Sequence, residues 1–151
     1  MAHILVVDDE NNIRKTIQLT LQHSGHTVET AADGQEALQK FYSGTHYDLI
    51  FLDQRMPGLE GLTVLGQMRY ERPEAKIIMA TAVGTIDLAV EAMRAGATNF
   101  LRKPFTAEIL RGAVEAALQN KTQTPLNRDG QAAPPSNTPT FGMTTINGFR
   151  N

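Results

Sequence analysis

The feature that most constrains the fold is a regular alternation between short apolar runs and longer segments with helical spacing. Five runs rich in β-forming residues occur at Ile4–Val7, Thr27–Thr30, Leu49–Leu52, Lys76–Ala80 and Asn99–Leu101. Each run is followed by a segment whose apolar residues recur every three or four positions, as on one face of a helix. This alternation predicts an α/β protein with a doubly wound, five-stranded parallel sheet and five flanking helices.

The boundaries of these segments carry residues that favour helix ends. The fourth helical segment has the clearest apolar stripe, at Ile86, Ala89, Val90 and Met93. Three helical segments are preceded by residues suited to cap a helix, namely Asp33, Thr85 and Thr106. Three are followed by glycines, namely Gly25, Gly44 and Gly96. The runs Ile4–Val7 and Leu49–Leu52 are apolar throughout, which is typical of central strands covered on both faces.

The composition changes at Lys121. Prolines at 125, 134, 135 and 139 stand among Thr, Asn, Gln and Gly, with almost no apolar periodicity, which indicates a flexible linker. We therefore expect a folded domain over residues 1–120 and a linker or tail over 121–151. Two interpretations of this last part stay open, a natural disordered tail and the cut start of a further domain.

The composition also excludes several classes of function. A formal net charge of −2 provides no global basic field for nucleic acid, and the chain has no cysteine for disulfides, thiolate metal sites or thiol nucleophiles. Residues 1–7 lack a basic leader followed by a cleavable apolar region, and no apolar run is long enough to cross a bilayer. We therefore expect a cytoplasmic protein without a membrane partner and without direct nucleic-acid binding by this segment.

Three acidic residues follow two of the predicted strands. Asp8 and Asp9 come directly after the first strand, and Asp53 comes after the third. In the doubly wound order these strands are neighbours, and their carboxyl ends form the site, so the three carboxylates should converge. Clustered carboxylates repel one another unless a cation compensates, and oxygen-only ligation suits Mg²⁺. Taken singly, Asp8 or Asp9 would more often be a turn or capping residue.

Two further polar residues close the fourth and fifth strands. Thr81 offers a hydroxyl, and Lys103 an ammonium that pairs with a carboxylate or with a phosphoryl oxygen. Each alone has an ordinary interpretation, Thr81 as a β-forming residue and Lys103 as a surface lysine. Beside Mg²⁺ and Lys103, however, Asp53 could act as a nucleophile and form an acyl phosphate. Because a carboxylate is already ionised at neutral pH, no general base is needed.

These residues together resemble a known family. The pairs and triplets that carry the resemblance are Asp8-Asp9, Asp53 with Met56-Pro57 and Gly61, Thr81-Ala82, and Lys103-Pro104-Phe105. They resemble the receiver domain of two-component response regulators over about residues 2–120, and the stretch 89–105 resembles receivers of the NtrC-like class. The resemblance implies a CheY-like fold with strand order 2-1-3-4-5. It also implies a regulatory switch, phosphorylated by a sensor histidine kinase and slowly self-dephosphorylating, rather than an enzyme.

The resemblance implies roles for the acidic residues and for the loop after the third strand. Asp53 would be the phospho-acceptor and a Mg²⁺ ligand. Asp9 would bind Mg²⁺ directly and Asp8 through a metal-bound water. The backbone carbonyl of Arg55 would complete the protein's share of the metal ligands.

The resemblance also implies a switch. Thr81 would move toward the phosphoryl group, and Phe100 would turn inward behind it. Lys103 and Pro104 would be joined by a cis peptide bond, a form that proline permits at modest cost. The output would be read from the fourth helix, fifth strand and fifth helix, with a phosphorylation-dependent homodimer through this face.

Three other interpretations fit less well. A phosphatase of the haloacid-dehalogenase type needs Asp-x-Asp after the first strand, and in this chain the second acid of that motif would fall on Glu10. A flavin-binding domain of the same topology needs a Ser/Thr/Gly-rich phosphate loop there. A pseudo-receiver that only docks to partners would not be expected to retain every site residue.

Overall fold

Five parallel strands and five helices alternate along the chain. The computed structural model describes residues 1–119. Its strands are β1 (His3–Val7), β2 (Thr27–Ala31), β3 (Leu49–Asp53), β4 (Ile77–Thr81) and β5 (Asn99–Arg102). Its helices are α1 (Asn11–His23), α2 (Gly34–Tyr42), α3 (Gly61–Glu71), α4 (Ile86–Arg94) and α5 (Ala107–Leu118). The sheet order β2-β1-β3-β4-β5 confirms the predicted doubly wound architecture.

Each face of the sheet is covered by an apolar layer. On one face, Phe41 of α2 and Met68 of α3 pack in a cluster with alternate residues of the central strands. On the other face, Leu21 of α1 and Val114 of α5 pack with the remaining residues of those strands. Because side chains alternate between the faces of a strand, strands covered on both sides must be apolar at every position. The central positions predicted for β1 and β3 are therefore confirmed.

The helix ends follow the signals in the sequence. The side chains of Asp33, Thr85 and Thr106 accept hydrogen bonds from the backbone N–H groups of Glu36, Leu88 and Ile109, at 2.8, 3.0 and 3.1 Å. Gly25, Gly44 and Gly96 adopt φ values of 94°, 95° and 105°, the left-handed region that terminates helices. By contrast, Glu10 and Glu60, the N-cap residues of α1 and α3, make no side-chain capping bond.

The fourth helix forms where its apolar stripe predicted it, but it buries a different face. Ile86 is 83% exposed and Val90 is 41% exposed, whereas Ala92 is fully buried. Met93 and Phe100 are partly buried hydrophobic residues that pack against the core cluster of the α2–α3 face. Two of the four residues of the stripe thus lie on the surface, because α4 contacts the sheet near its edge.

Two predictions concern the chain as a whole. Within residues 1–119, no helix combines the length and apolar character that a bilayer span requires. The predicted linker or tail over 121–151 lies outside the described residues, so the domain boundary stays a prediction.

Candidate functional site

The three predicted carboxylates meet at the carboxyl ends of β1 and β3. The two strands are paired with Val7 opposite Leu52, so the residues that follow each strand are close in space. Carboxylate oxygens of Asp8, Asp9 and Asp53 lie within 4.8 Å of one another. Asp8 is fully buried, Asp53 is 4% exposed and Asp9 is exposed. Within the described part of the chain, this cluster is the group of side chains suited to hold a metal ion.

Lys103 bridges the two buried carboxylates. Its Nζ lies 2.6 Å from Asp8 Oδ2 and 3.2 Å from Asp53 Oδ1. Its backbone N–H donates to the carbonyl of Thr81 at 2.9 Å, which fixes the end of β5 against β4. The peptide bond between Lys103 and Pro104 is cis. The lysine that follows β5 therefore reaches the acids at the ends of β1 and β3 directly.

The electrostatics of the cluster show an excess of negative charge. Burial raises the pKa of Asp53 to about 6; Lys103 opposes this shift, and the charges of Asp8 and Asp9 add to it. Burial alone would lower the pKa of Lys103, but the hydrogen bond to Asp8 and the charges of both carboxylates outweigh it and raise that pKa. One ammonium thus faces three carboxylates. This set of oxygen donors fits a hard divalent cation such as Mg²⁺.

The loop between β1 and α1 is held by hydrogen bonds that the sequence did not reveal. Asp8 Oδ1 accepts from the backbone N–H of Glu10 at 2.9 Å. Arg14 Nη1 donates to the backbone carbonyl of Asp8 at 2.7 Å, and its Nη2 donates to Asn11 Oδ1. Arg14 lies on α1, six residues from its acceptor, and its residue type alone gives no signal of this contact.

The loop between β3 and α3 is closed at its base by Gln54, a second residue that sequence reasoning missed. Gln54 is buried, and its Oε1 accepts from the backbone N–H of Leu62 at 2.8 Å. Gly61 packs so closely that a Cβ atom there would lie 2.5 Å from the carbonyl oxygen of Asp53. Arg55 follows Gln54 with an exposed side chain. The role of the Arg55 carbonyl as a metal ligand stays a prediction.

Thr81 and Phe100, the two predicted switch residues, stand on neighbouring strands. Thr81 is fully buried, and its Oγ1 accepts from the backbone N–H of Val83 at 3.2 Å. Phe100 is partly buried against the core. Gly84 lies beside both, since a Cβ atom there would be 3.5 Å from Phe100 Cε2 and 3.5 Å from Thr81 Cγ2. No motif in the sequence singles out Gly84.

Comparison with known proteins gives one family. The family model described as the response regulator receiver domain matches residues 4–115. The uncharacterized transcriptional regulatory protein YkoG of Bacillus subtilis is 38% identical over 124 residues, which cover 82% of this chain and 54% of YkoG. The chain spans about half or less of the length of the first curated relatives that it matches.

Solved structures agree with this family. NtrX from Brucella abortus superposes with a TM-score of 0.74 at 39% identity, covering 79% of this chain and 28% of that one. The response regulator TrrA from Thermotoga maritima, in complex with Mg²⁺ and BeF, superposes with a TM-score of 0.71 at 42% identity. That match covers 78% of this chain and 99% of TrrA.

Proposed function

The chain belongs to the family of response regulator receiver domains, and from that premise we propose that Asp53 is its phospho-acceptor. The members of this family are regulatory switches of two-component systems, and phosphorylation and Mg²⁺ binding are general among them. The observation that carries the assignment of Asp53 is the contact of Lys103 Nζ with both buried carboxylates, Asp8 and Asp53. A phosphoryl group on Asp53 would arrive beside a fixed ammonium.

We propose that Mg²⁺ binds beside Asp53. Asp9 and Asp53 would hold it directly, Asp8 through water, and Arg55 through its backbone carbonyl. When bound, Mg²⁺ supplies charge neutralisation for the phosphoryl oxygens. Support comes from the three converging carboxylates and from the Mg²⁺ and BeF complex of TrrA, a relative of the same fold.

The proposed reaction is phosphoryl transfer from a phosphohistidine of a sensor kinase. A carboxylate oxygen of Asp53 forms the new bond to phosphorus as the bond between phosphorus and the imidazole nitrogen breaks. The electron pair of the broken bond stays on the imidazole. Lys103 keeps its hydrogen bond to Asp8 and exchanges its contact with Asp53 for a phosphoryl oxygen. Slow attack of water on phosphorus would break its bond to the Asp53 carboxylate oxygen, release inorganic phosphate and return Asp53 to its resting form.

The donor protein needs a surface next to Asp53. An apolar groove of about 290 Å³ shares Lys103 with the site. It is formed by the start of α1 and the loop after β5, and its lining residues are Asn12, Ile13, Thr16, Ile17, Lys103, Pro104 and Phe105. We propose that the kinase contacts this groove, because a kinase bound there would lie next to Asp8 and Asp53.

The proposed output is a shift between two conformations. Phosphorylation would draw the Thr81 hydroxyl from the Val83 N–H to the phosphoryl group, and Phe100 would turn inward. The face formed by α4, β5 and α5 exposes large apolar side chains, including Ile86 and Ile109, which are 83% and 53% exposed. We propose that this face forms a homodimer in the phosphorylated state. The receiver would span residues 1–120, with 121–151 as a linker or tail.

Treatment with a small phosphodonor and Mg²⁺ tests the acceptor assignment. We expect the purified protein to gain the mass of one phosphoryl group and the Asp53→Ala variant to gain none. Asp87→Ala, which removes an exposed aspartate of α4, serves as the matched control and should gain the same mass as the wild type. Persistence of the gain in Asp53→Ala would refute the assignment.

Sedimentation with and without the phosphodonor tests the proposed dimer. The phosphorylated protein should sediment as a dimer, and Ile86→Asp should keep it monomeric while leaving the phosphoryl mass gain intact. The control, Tyr70→Asp, alters a side chain on α3 that is 90% exposed and should not affect dimerisation. Sedimentation that is insensitive to phosphorylation would exclude this output.

A further inference from the structure

We propose that Gln54 is a positioning residue for the metal site. Its side-chain carbonyl would fix the loop that carries Arg55 by joining the end of β3 to the start of α3. The inference rests on the proposed function, because it concerns the same Mg²⁺ site. Gln54 itself would touch neither the metal nor the phosphoryl group.

The first observation is the hydrogen bond that Gln54 makes with α3. The first turn of a helix has backbone N–H groups without partners inside the helix, and a side chain at the N-cap usually accepts from one of them. Glu60 occupies the N-cap of α3 and makes no such bond. Gln54 Oε1 accepts from the N–H of Leu62 instead, at 2.8 Å. The cap of α3 therefore comes from the residue that directly follows Asp53, the proposed phospho-acceptor.

The second observation is the backbone of Gln54. Its N–H donates to the carbonyl of Ala80 on β4, and its own carbonyl accepts from the N–H of Gly61, each at 3.0 Å. With the side-chain bond, three hydrogen bonds tie this one residue to β4 and to α3. The absence of a Cβ at Gly61 permits this approach, since a Cβ would lie 2.8 Å from Gln54 Cα. Both ends of the loop that contains Arg55 are thus held at one point.

The consequence for metal binding follows from the geometry that Mg²⁺ requires. Mg²⁺ demands a nearly octahedral arrangement of oxygens at short distances, so small displacements of a ligand weaken its binding. Residues that orient ligands without touching the metal commonly alter its affinity by a factor of about 10 to 100. A neutral carboxamide provides this support without adding to the repulsion among the three carboxylates.

Calorimetric titration with Mg²⁺ tests the inference. Gln54→Met keeps the length of the side chain and removes the acceptor, and we expect Mg²⁺ to bind about tenfold more weakly. Gln67→Met makes the same substitution at an exposed position of α3 and should leave the affinity unchanged. Equal affinities in the wild type and Gln54→Met would overturn the proposal.

A second variant separates positioning from simple helix capping. Glu60→Ser introduces a side chain that accepts from the first turn of α3, but it makes no link to β3. In the double variant Gln54→Met/Glu60→Ser, the thermal midpoint measured without metal should rise from the value of Gln54→Met toward that of the wild type. The Mg²⁺ affinity of the double variant should stay lower than that of Glu60→Ser alone. If the thermal midpoint and the Mg²⁺ affinity both recover, Gln54 acts only as a cap of α3 and its positioning role is refuted.

The phosphodonor assay on the wild type keeps this inference distinct from the proposed function. If the wild type gains no phosphoryl mass but Gln54→Met weakens Mg²⁺ binding, the acceptor assignment fails and the positioning role stands. If phosphorylation occurs and the Mg²⁺ affinities are equal, the positioning role alone fails. If the wild type binds no Mg²⁺, the proposed metal site and the positioning role are both refuted, and the acceptor assignment is decided by the phosphoryl mass alone.

Discussion

Two aspartates lie at opposite ends of the same strand, and their surroundings affect them in opposite ways. Asp48 immediately precedes β3, and Asp53 ends it. A backbone hydrogen bond from His3 lowers the pKa of Asp48, whereas burial raises the pKa of Asp53 to about 6. The ionised form of an aspartate is thus stabilised at one end of the sheet, at Asp48, and penalised at the other end, at Asp53.

At the amino-terminal end of the sheet, two acidic side chains have neighbouring hydrogen-bond donors. Asp48 Oδ2 accepts from the N–H of His3 at 2.8 Å, and its Oδ1 lies 3.2 Å from His46 Nε2. Nearby, Glu29 accepts from the hydroxyl of Tyr47 at 3.0 Å. A cavity of about 650 Å³ opens at this end and contains none of the site's carboxylates, so cavity size does not mark the chemistry in this protein.

The difference separates a carboxylate whose ionised form stabilises the fold from one whose ionised form is penalised by burial. Asp48 has its hydrogen-bond partners in place and contributes to stability as a carboxylate. Asp53 shares a single ammonium with Asp8, so its negative charge is only partly compensated. In the proposed function, Mg²⁺ compensates the remaining charge. Functional sites commonly break the local rules that the rest of a fold obeys, and they do so at a cost in stability.

The largest effect is expected when the compensating cation at Asp53 is removed. Lys103→Met leaves two buried carboxylates without their partner, and we expect the metal-free protein to lose about 3–5 kcal/mol of unfolding free energy. Urea denaturation in the presence of EDTA measures this loss, and added Mg²⁺ should restore part of it. Lys15→Met, at an exposed position of α1, is the control. A stability equal to that of the wild type would mean that the acids are not under electrostatic strain.

Neutralising Asp53 should have the opposite sign. Asp53→Asn removes a carboxylate whose ionisation opposes folding, and we expect the metal-free protein to gain about 1–3 kcal/mol at neutral pH. The unfolded chain releases this proton near pH 3.8 and the folded protein near pH 6. Between these values the folded state binds more protons, so wild-type stability falls as the pH rises. The gain in Asp53→Asn should therefore grow across this window, and a gain independent of pH would contradict the explanation.

Neutralising Asp48 provides the matched comparison and the smallest effect. Asp48→Asn weakens the charge-assisted bonds to His3 and His46, and we expect a loss of about 0.5–1 kcal/mol because the side chain is partly solvated. The lowered pKa of Asp48 means that its stabilisation is present above its ordinary value and is lost as the pH falls through the folded value. Mg²⁺ affinity, measured by calorimetry, should not change. If Asp48→Asn were more stable than the wild type, the carboxylates at the two ends of β3 would not differ in their effect on stability.

Much of the site was predictable because it uses strand ends. Parallel strands present their carboxyl ends at one edge, so the acids after β1 and β3 and the lysine after β5 had to lie at the same edge once the order was known. The helix caps Asp33, Thr85 and Thr106 were predictable for a similar reason, since a cap acts within its own turn.

Contacts between distant elements were not predictable in this way. The stripe on α4 predicted a helix but not its buried face, because the position of the helix relative to the sheet edge decides which residues are covered. Nothing in the type or position of Gln54 predicted that its side chain would cap α3. The reach of Arg14 back to the Asp8 carbonyl likewise depends on how α1 follows β1.

The sequence by itself determined the alternation of strands and helices, the caps within single turns, and the identity of the acids, hydroxyl and amine at the strand ends. These features depend on local periodicity and on short-range hydrogen bonding. The tertiary structure alone decided how much charge the site leaves uncompensated and how its loops are held. Burial, the distances from Lys103 to two carboxylates and the bond from Gln54 to Leu62 arise only when separate elements pack together.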